Sequence, residues 1–176
     1  MGGVPDVRTS SPTPDDAGYC AWIALRASAL RRKAYLLCGD RGHAEDLVQT
    51  ALMRTARQWR RAREHPEAYA RQVVVNLAKD RWRQLGRRPV EAPLEADVAE
   101  PQGDVFGDRD VLLRATRLLP PGQRAVLVLR FFDDLSVAET AAVLGCSTGT
   151  VKSQTSRALD NLRAALTLTQ ENAHVD

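Results

Sequence analysis

The sequence predicts an all-α fold: two small helical domains joined by an acidic, Pro-rich linker, with a helix-turn-helix as the C-terminal domain. Three observations carry this. Apolar residues recur at helical spacing through most of the chain, and no strand-like alternation or internal repeat appears. Residues 89–108 hold Glu91, Glu95, Asp97, Glu100, Asp104 and Asp108 with prolines and no Lys or Arg, a composition that favours extended chain over a packed core. Residues 136–166 carry two helix starts in succession, separated by Gly145. At 176 residues the chain has room for one domain or two small ones.

Met1 to Asp16 is rich in Pro, Ser, Thr and Asp and lacks an apolar stretch. That predicts a flexible tail over 1–16 and no secretory signal. The first domain is expected over 17–88. Residues 19–38 place Trp22, Ile23, Leu25, Leu30, Tyr35, Leu36 and Leu37 on an amphipathic helix. Gly39 ends it and Asp40 caps the next. Residues 41–60 form that second helix, with Ala44, Leu47, Val48, Ala51, Leu52, Ala56 and Trp59 as its apolar stripe. Glu45 and Asp46 suit the positive end of its dipole. A polar loop is expected from Arg60 to His65. Pro66 fits the first position of a third helix running to about Leu85.

From Arg54 to Arg88 the cations are Arg54, Arg57, Arg60, Arg61, Arg63, Arg71, Lys79, Arg81, Arg83, Arg87 and Arg88, opposed only by Glu64, Glu67 and Asp80. The whole chain balances 25 Lys and Arg against 22 acids, so the block is hidden in a net charge of +3. A block of this kind attracts a polyanion. Tyr69 and Trp82 lie within it, either stacking on unpaired bases or filling the core.

The linker spans 89–108, the second domain 109–168 and a frayed tail 169–176. Residues 109–119 resume helix, Pro120-Pro121-Gly122 breaks it, and Gln123 to Phe132 forms the next. Ser136 and Glu139 make a capping box. Gly145 takes the positive-φ position after that helix, and Ser147 caps another that starts at Thr148. Ala141 is small where the two must approach. Val151, Ala158, Leu159 and Leu162 share one face of the last helix, and Lys152, Ser153, Ser156 and Arg157 share another. The second face is either a solvated hairpin surface or a reader of bases and phosphates in the major groove.

Other classes find little support. No apolar run is long enough to span a membrane. Cys20, Cys38 and Cys146 are far apart, with no metal-ligand spacing, and are expected as buried reduced thiols. No phosphate loop, zinc-protease motif or nucleophile elbow occurs. The expectation is therefore no enzyme, no catalytic residue, no metal and no cofactor.

Four stretches together carry a family resemblance. They are Gly39 to Gln49; Ala68-Tyr69 with Val75 to Arg83; Leu119 to Val126; and Gly149 to Ser153 with Ser156-Arg157-Ala158. In this order the chain resembles the extracytoplasmic-function group of bacterial RNA polymerase sigma factors, over about residues 19–166. The resemblance implies a cytoplasmic, monomeric subunit that binds core RNA polymerase through the β′ clamp and the β flap. It implies recognition of promoter DNA, with the −10 element melted and the −35 element duplex, and a linker threaded through the polymerase. An anti-sigma factor is a family-typical partner. By position, Asp46, Leu47, Gln49 and Leu52 look like the clamp-binding surface. The Arg60–His65 loop, with Arg61 and Arg63, looks like the receiver of a flipped −10 base. Asn76, Lys79, Asp80 and Arg83 look like the single-strand contacts. Thr148, Lys152, Ser153, Ser156 and Arg157 look like the −35 readers. Gln154-Thr155 departs from the Arg-Leu or Arg-Ile of many members. The competing reading is an autonomous helix-turn-helix regulator, which accounts for residues 136–166 but not for the Gly39–Arg83 pattern.

Overall fold

The computed structural model describes residues 14–86 and 108–172. Helix α1 (Pro14–Cys38) ends at Gly39, whose φ of 75° carries no Cβ penalty in glycine. Asp40 then caps α2 (Arg41–Arg57): its carboxylate accepts from the His43 backbone N–H at 2.7 Å. The chain turns at Gln58 into a one-turn helix, α3 (Trp59–Ala62), before α4 (Pro66–Gly86). The second described segment holds α5 (Asp108–Arg117), α6 (Pro121–Leu127), α7 (Val137–Leu144) and α8 (Thr148–Asn172). A π-helical turn, Val128–Phe132, extends α6. No strand occurs among the described residues, and the all-α, two-domain architecture agrees with the sequence.

Several local expectations need correction. Helix α1 begins at Pro14, so residues 14–16 of the expected tail are helical; residues 1–13 lie outside the described residues. Pro14 has no N–H to leave unpaired in a first turn. The polar loop starts at Arg63, because Trp59–Ala62 coils against α1. There Trp59 meets Tyr19 at a ring-centroid distance of 5.3 Å and Trp22 at 5.9 Å, and Ala62 is buried. In α2 the buried stripe is Ala44, Val48, Ala51 and Thr55, and Ala56 is exposed. The threonine is tolerated inside because its hydroxyl donates to Ala51 O at 2.8 Å. Helix α8 continues to Asn172, into the tail expected from 169. The linker expected over 89–108 lies outside the described residues except for Asp108, which opens α5.

The helix-turn-helix signals hold in detail. Ser136 and Glu139 form the reciprocal capping box, and Gly145 sits at φ 65°. Ser147 accepts from the Thr150 N–H at 3.1 Å to start α8. Val126, Ala141 and Val151 form one small core, and Leu119, Leu127 and Ala158 another, with Leu159 and Leu162 packed on it.

The larger departure concerns the domains. The linker composition leads one to expect few shared core contacts. Instead Ala125, Val128, Leu129 and Leu135 join one buried cluster with Leu30, Ala34, Leu37, Val48 and Val74. Linker composition fixes where a chain is extended; it does not fix whether the apolar surface left on each domain meets the other's. Leu118, Phe131 and Phe132 stay outside that cluster and are exposed. Cys20 is also exposed, and Cys38 and Cys146 are only partly covered, against the expectation of buried thiols.

Candidate nucleic-acid interface

The outward face of α8 is assembled as the spacing predicts. Val151 and Ala158 are fully buried, which fixes the rotation of α8 about its axis. That rotation turns Thr148, Lys152, Ser153, Ser156 and Arg157 outward, all exposed. Thr148, Lys152 and Ser156 follow one another at four-residue steps, with Ser153 and Arg157 one row over. Ser153 Oγ donates to Thr150 O at 3.0 Å. Thr155 is half-buried, and its hydroxyl donates to Val151 O at 2.7 Å. This back-bond keeps a polar residue on the inner side without an orphaned group.

On α4, Ala70, Val73, Val74, Val75 and Ala78 are buried and leave Asn76, Asp80 and Arg83 exposed. Asp80 pairs with Arg83 at 3.0 Å. Asn76 accepts from Gln72 Nε2 at 3.0 Å. Lys79 is half-buried and donates to the Leu144 carbonyl of α7. Arg61 and Arg63, near the opposite end of α4, are exposed. Arg61 belongs to α3 and Arg63 to the loop before α4, whereas Asn76, Lys79, Asp80 and Arg83 lie on the second half of α4, so the six residues come from different elements. Tyr69 and Trp82 are partly buried against the core, so both pack inward with one side accessible.

On α2, Asp46 and Gln49 are exposed, and Leu47 and Leu52 are half-buried. Met53, one turn beyond Gln49, is 57% exposed and extends this face. The sequence reading missed it because a lone methionine beside an apolar stripe looks like core. Tyr19 holds the helix from behind, its hydroxyl donating to Leu52 O at 2.7 Å.

The charged groups between the domains were also missed. Asp133 is buried, with its carboxylate paired to Lys33 of α1 and to Arg71 of α4, the latter at 3.1 Å. Arg124 reaches the Leu37 carbonyl at 3.3 Å and the Arg117 and Leu119 carbonyls at 3.2 and 3.1 Å. Burial draws its guanidinium below the usual arginine range. Arg117 donates to the Tyr35 hydroxyl at 3.0 Å. Asp40 is held below the usual carboxylate range, chiefly by the His43 backbone N–H. Glu139 is likewise lowered, by its hydrogen bonds with Ser136. Burial pushes the Cys38 thiol up to about 11. Among the described residues no group of three or more His, Cys, Asp or Glu is placed to hold a metal ion, and no helix is long and apolar enough to cross a membrane.

Comparison with known proteins bears on these faces. Residues 23–88 match Sigma-70 region 2, and residues 109–162 match Sigma-70, region 4. The chain is 40% identical over 150 residues to the RNA polymerase sigma-E factor of Streptomyces coelicolor, covering 82% of this chain and 84% of that protein. It is 32% identical over 163 residues to the ECF RNA polymerase sigma factor SigE of Mycolicibacterium smegmatis, covering 86% and 63%. The solved structure of the sigma factor RpoE in complex with the anti-sigma factor NepR from Bartonella quintana matches with a TM-score of 0.65 at 26% identity, over 85% of this chain and 96% of that one. Both regions lie in family order along one chain, and the protein belongs to the extracytoplasmic-function group of sigma-70 factors, alternative sigma factors that direct promoter-specific transcription initiation.

Proposed function

We propose a division of labour among the three faces. Residues 17–88 act as the polymerase-binding and −10 domain, and residues 109–168 as the −35 domain. The outward face of α8 enters the major groove, where Arg157 reads a base edge and Lys152 neutralises phosphate. Thr148, Ser153 and Ser156 are short enough to let the helix approach the bases. Asn76, Lys79, Asp80 and Arg83 contact the melted strand, and Arg61 and Arg63 flank the receiver of a flipped base. Asp46, Gln49 and Met53, over Leu47 and Leu52, dock on the β′ clamp, and the C-terminal domain engages the β flap. The protein works in the cytoplasm as a monomeric specificity subunit without catalysis of its own. An anti-sigma factor is its natural antagonist, as for the matched RpoE, solved in complex with NepR.

The observation that carries this reading is the exposed row of Lys152, Ser153, Ser156 and Arg157 on a helix whose rotation is fixed by buried Val151 and Ala158. One small helix-turn-helix supplies few base contacts, and strand opening costs free energy at every step. Stable binding should therefore need core polymerase, which holds both domains on DNA together. The test is run-off transcription and permanganate footprinting with purified core polymerase on a genomic promoter library. Wild type should give a −10 region reactive to permanganate. Asp46→Arg, a change at an exposed position, should abolish that complex while leaving helix content and weak duplex binding intact. Tight binding of one duplex operator by the free protein, with no gain from core, would instead favour the autonomous regulator.

A further inference from the structure

A cleft of about 730 Å³ lies outside the three faces assigned above, between α1, the start of α2 and α5. Four guanidinium groups line it: Arg31 and Arg32 of α1, Arg41 of α2 and Arg117 of α5. Arg31 and Arg32 stand one turn before Tyr35, so all three share one side of α1. Tyr35 and Leu113, both half-buried, add an apolar wall. Arg31, Arg32 and Arg41 are exposed, and their side chains have no ion pair or hydrogen bond among the described residues.

We propose that this cleft binds a nucleoside polyphosphate, with Arg31, Arg32, Arg41 and Arg117 on the phosphates and Tyr35 and Leu113 against the nucleoside. The inference does not depend on the roles given to α4 and α8.

The charge balance favours an anion. Two carboxylates, Asp40 and Glu45, also line the cleft, so four arginines against two acids leave an excess of two positive charges. Asp40 is already committed, since its carboxylate meets the His43 backbone N–H and His43 Nδ1, each at 2.7 Å. Arg117 is positioned without being neutralised: it donates to the Tyr35 hydroxyl at 3.0 Å, and its Cζ lies 5.5 Å from that ring's centroid. Behind it, Arg124 is 9% exposed, bonds backbone carbonyls, and leaves its Nε without a partner. The two meet across Gly39, where an added Cβ would lie 3.8 Å from Arg117 Nε and 3.0 Å from Arg124 Nη1. Burial first, and the like charge of Arg117 after it, draw the Arg124 guanidinium below its usual range. Guanidiniums held this close repel, and an anion in the cleft relieves the repulsion. Arginine offers phosphate oxygens paired N–H donors, so four of them can grip more than one phosphate group. The volume falls within the range of small-molecule sites, about 300–1,000 Å³, and the half-buried Tyr35 and Leu113 give it an apolar side that suits a flat base. Three of the arginines belong to the first domain and Arg117 to the second, so the ligand stabilises this arrangement of the domains by mass action.

The experiment uses the full chain in metal-free buffer at about 0.15 M salt, where distant exposed charges are screened. Isothermal titration calorimetry compares ADP and GDP with AMP and with inorganic pyrophosphate, and thermal melting reads the stabilisation. At least one diphosphate should bind saturably, about tenfold more tightly than AMP and pyrophosphate, and raise the melting temperature. Arg32→Ala and Arg41→Ala, both at exposed helical positions, should each weaken that binding about tenfold with circular dichroism unchanged. Arg163→Ala, outside the cleft on α8, should bind as wild type does. An equal loss in Arg163→Ala marks non-specific attraction and overturns the site, as does the absence of saturable binding. Pyrophosphate binding as tightly as the diphosphates overturns the role given to Tyr35 and Leu113.

Discussion

The two long helices α4 and α8 carry similar chemistry on their outward faces, cations beside short polar groups, yet on α4 part of that face bonds to the other domain and on α8 it is open. On α8, Lys152 and Arg157 project to solvent. On α4, Lys79 is spent on a carbonyl of the other domain, and Asn76 sits beside Gln72, which spans the same gap. The difference lies in what surrounds each helix. The inner side of α8 is satisfied within its own domain by Val126, Leu127 and Ala141. Helix α4 has a second neighbour, the end of α7, whose orphaned carbonyls attract the cations and amides that suit nucleic acid. A surface of cations and amides suits the negative end of a helix.

The sharpest way to test the open side is Arg157→Ala. Loss of a bidentate guanine contact removes about 1–3 kcal/mol of discrimination. The expected result is relaxed preference at one −35 position, read by transcription across single-base promoter variants with core polymerase. Unchanged preference would remove Arg157 from the reading face. The N-terminal domain is weakened at the start of α2 by Asp40→Ala. This residue starts α2 next to Gly39, where an added Cβ would meet Arg124 Nη1 at 3.0 Å. Loss of an N-cap costs about 1 kcal/mol, read as a lower denaturant midpoint. The Asp40 carboxyl is lowered in the fold, so its contribution is complete above the ordinary carboxylate value and fades as pH falls through the lowered one. The stability gap to Asp40→Asn should therefore be constant near neutrality and close only below about pH 4. The smallest effect belongs to Lys152→Ala, which should weaken duplex binding evenly across sequences and reduce the salt slope by about one. A sequence-dependent loss would make Lys152 a base reader, and the open face would then hold two.

The features legible in the sequence are local ones. The Ser136–Glu139 box, Gly145, Ser147, Gly39 and Asp40 each act within three or four residues, so spacing alone exposes them. The outward row of α8 was legible because buried Val151 and Ala158 set the phase. The α2 stripe was read one residue off at its end, since Thr55 needs its bond to Ala51 O to be tolerated inside, and hydropathy does not register such a bond. Asp133, Lys33 and Arg71 were not legible at all. Asp133 stands in a polar turn, Arg71 in a basic block, and Lys33 among arginines. Only the meeting of the two domains makes them one buried group. For the same reason the bond from Lys79 to the end of α7 was not legible.

The thiol of Cys38 lies where α1 ends, beside Arg124. Raised to about 11, it is almost wholly protonated near neutral pH and slow toward electrophiles. Cys20, on the same helix, is exposed. The chain thus holds a slow and an accessible sulfur on one rigid rod, only one of them at the seam with the other domain. Alkylation followed by mass spectrometry should therefore label Cys20 before Cys38, with Cys146, partly covered after α7, as a third reporter.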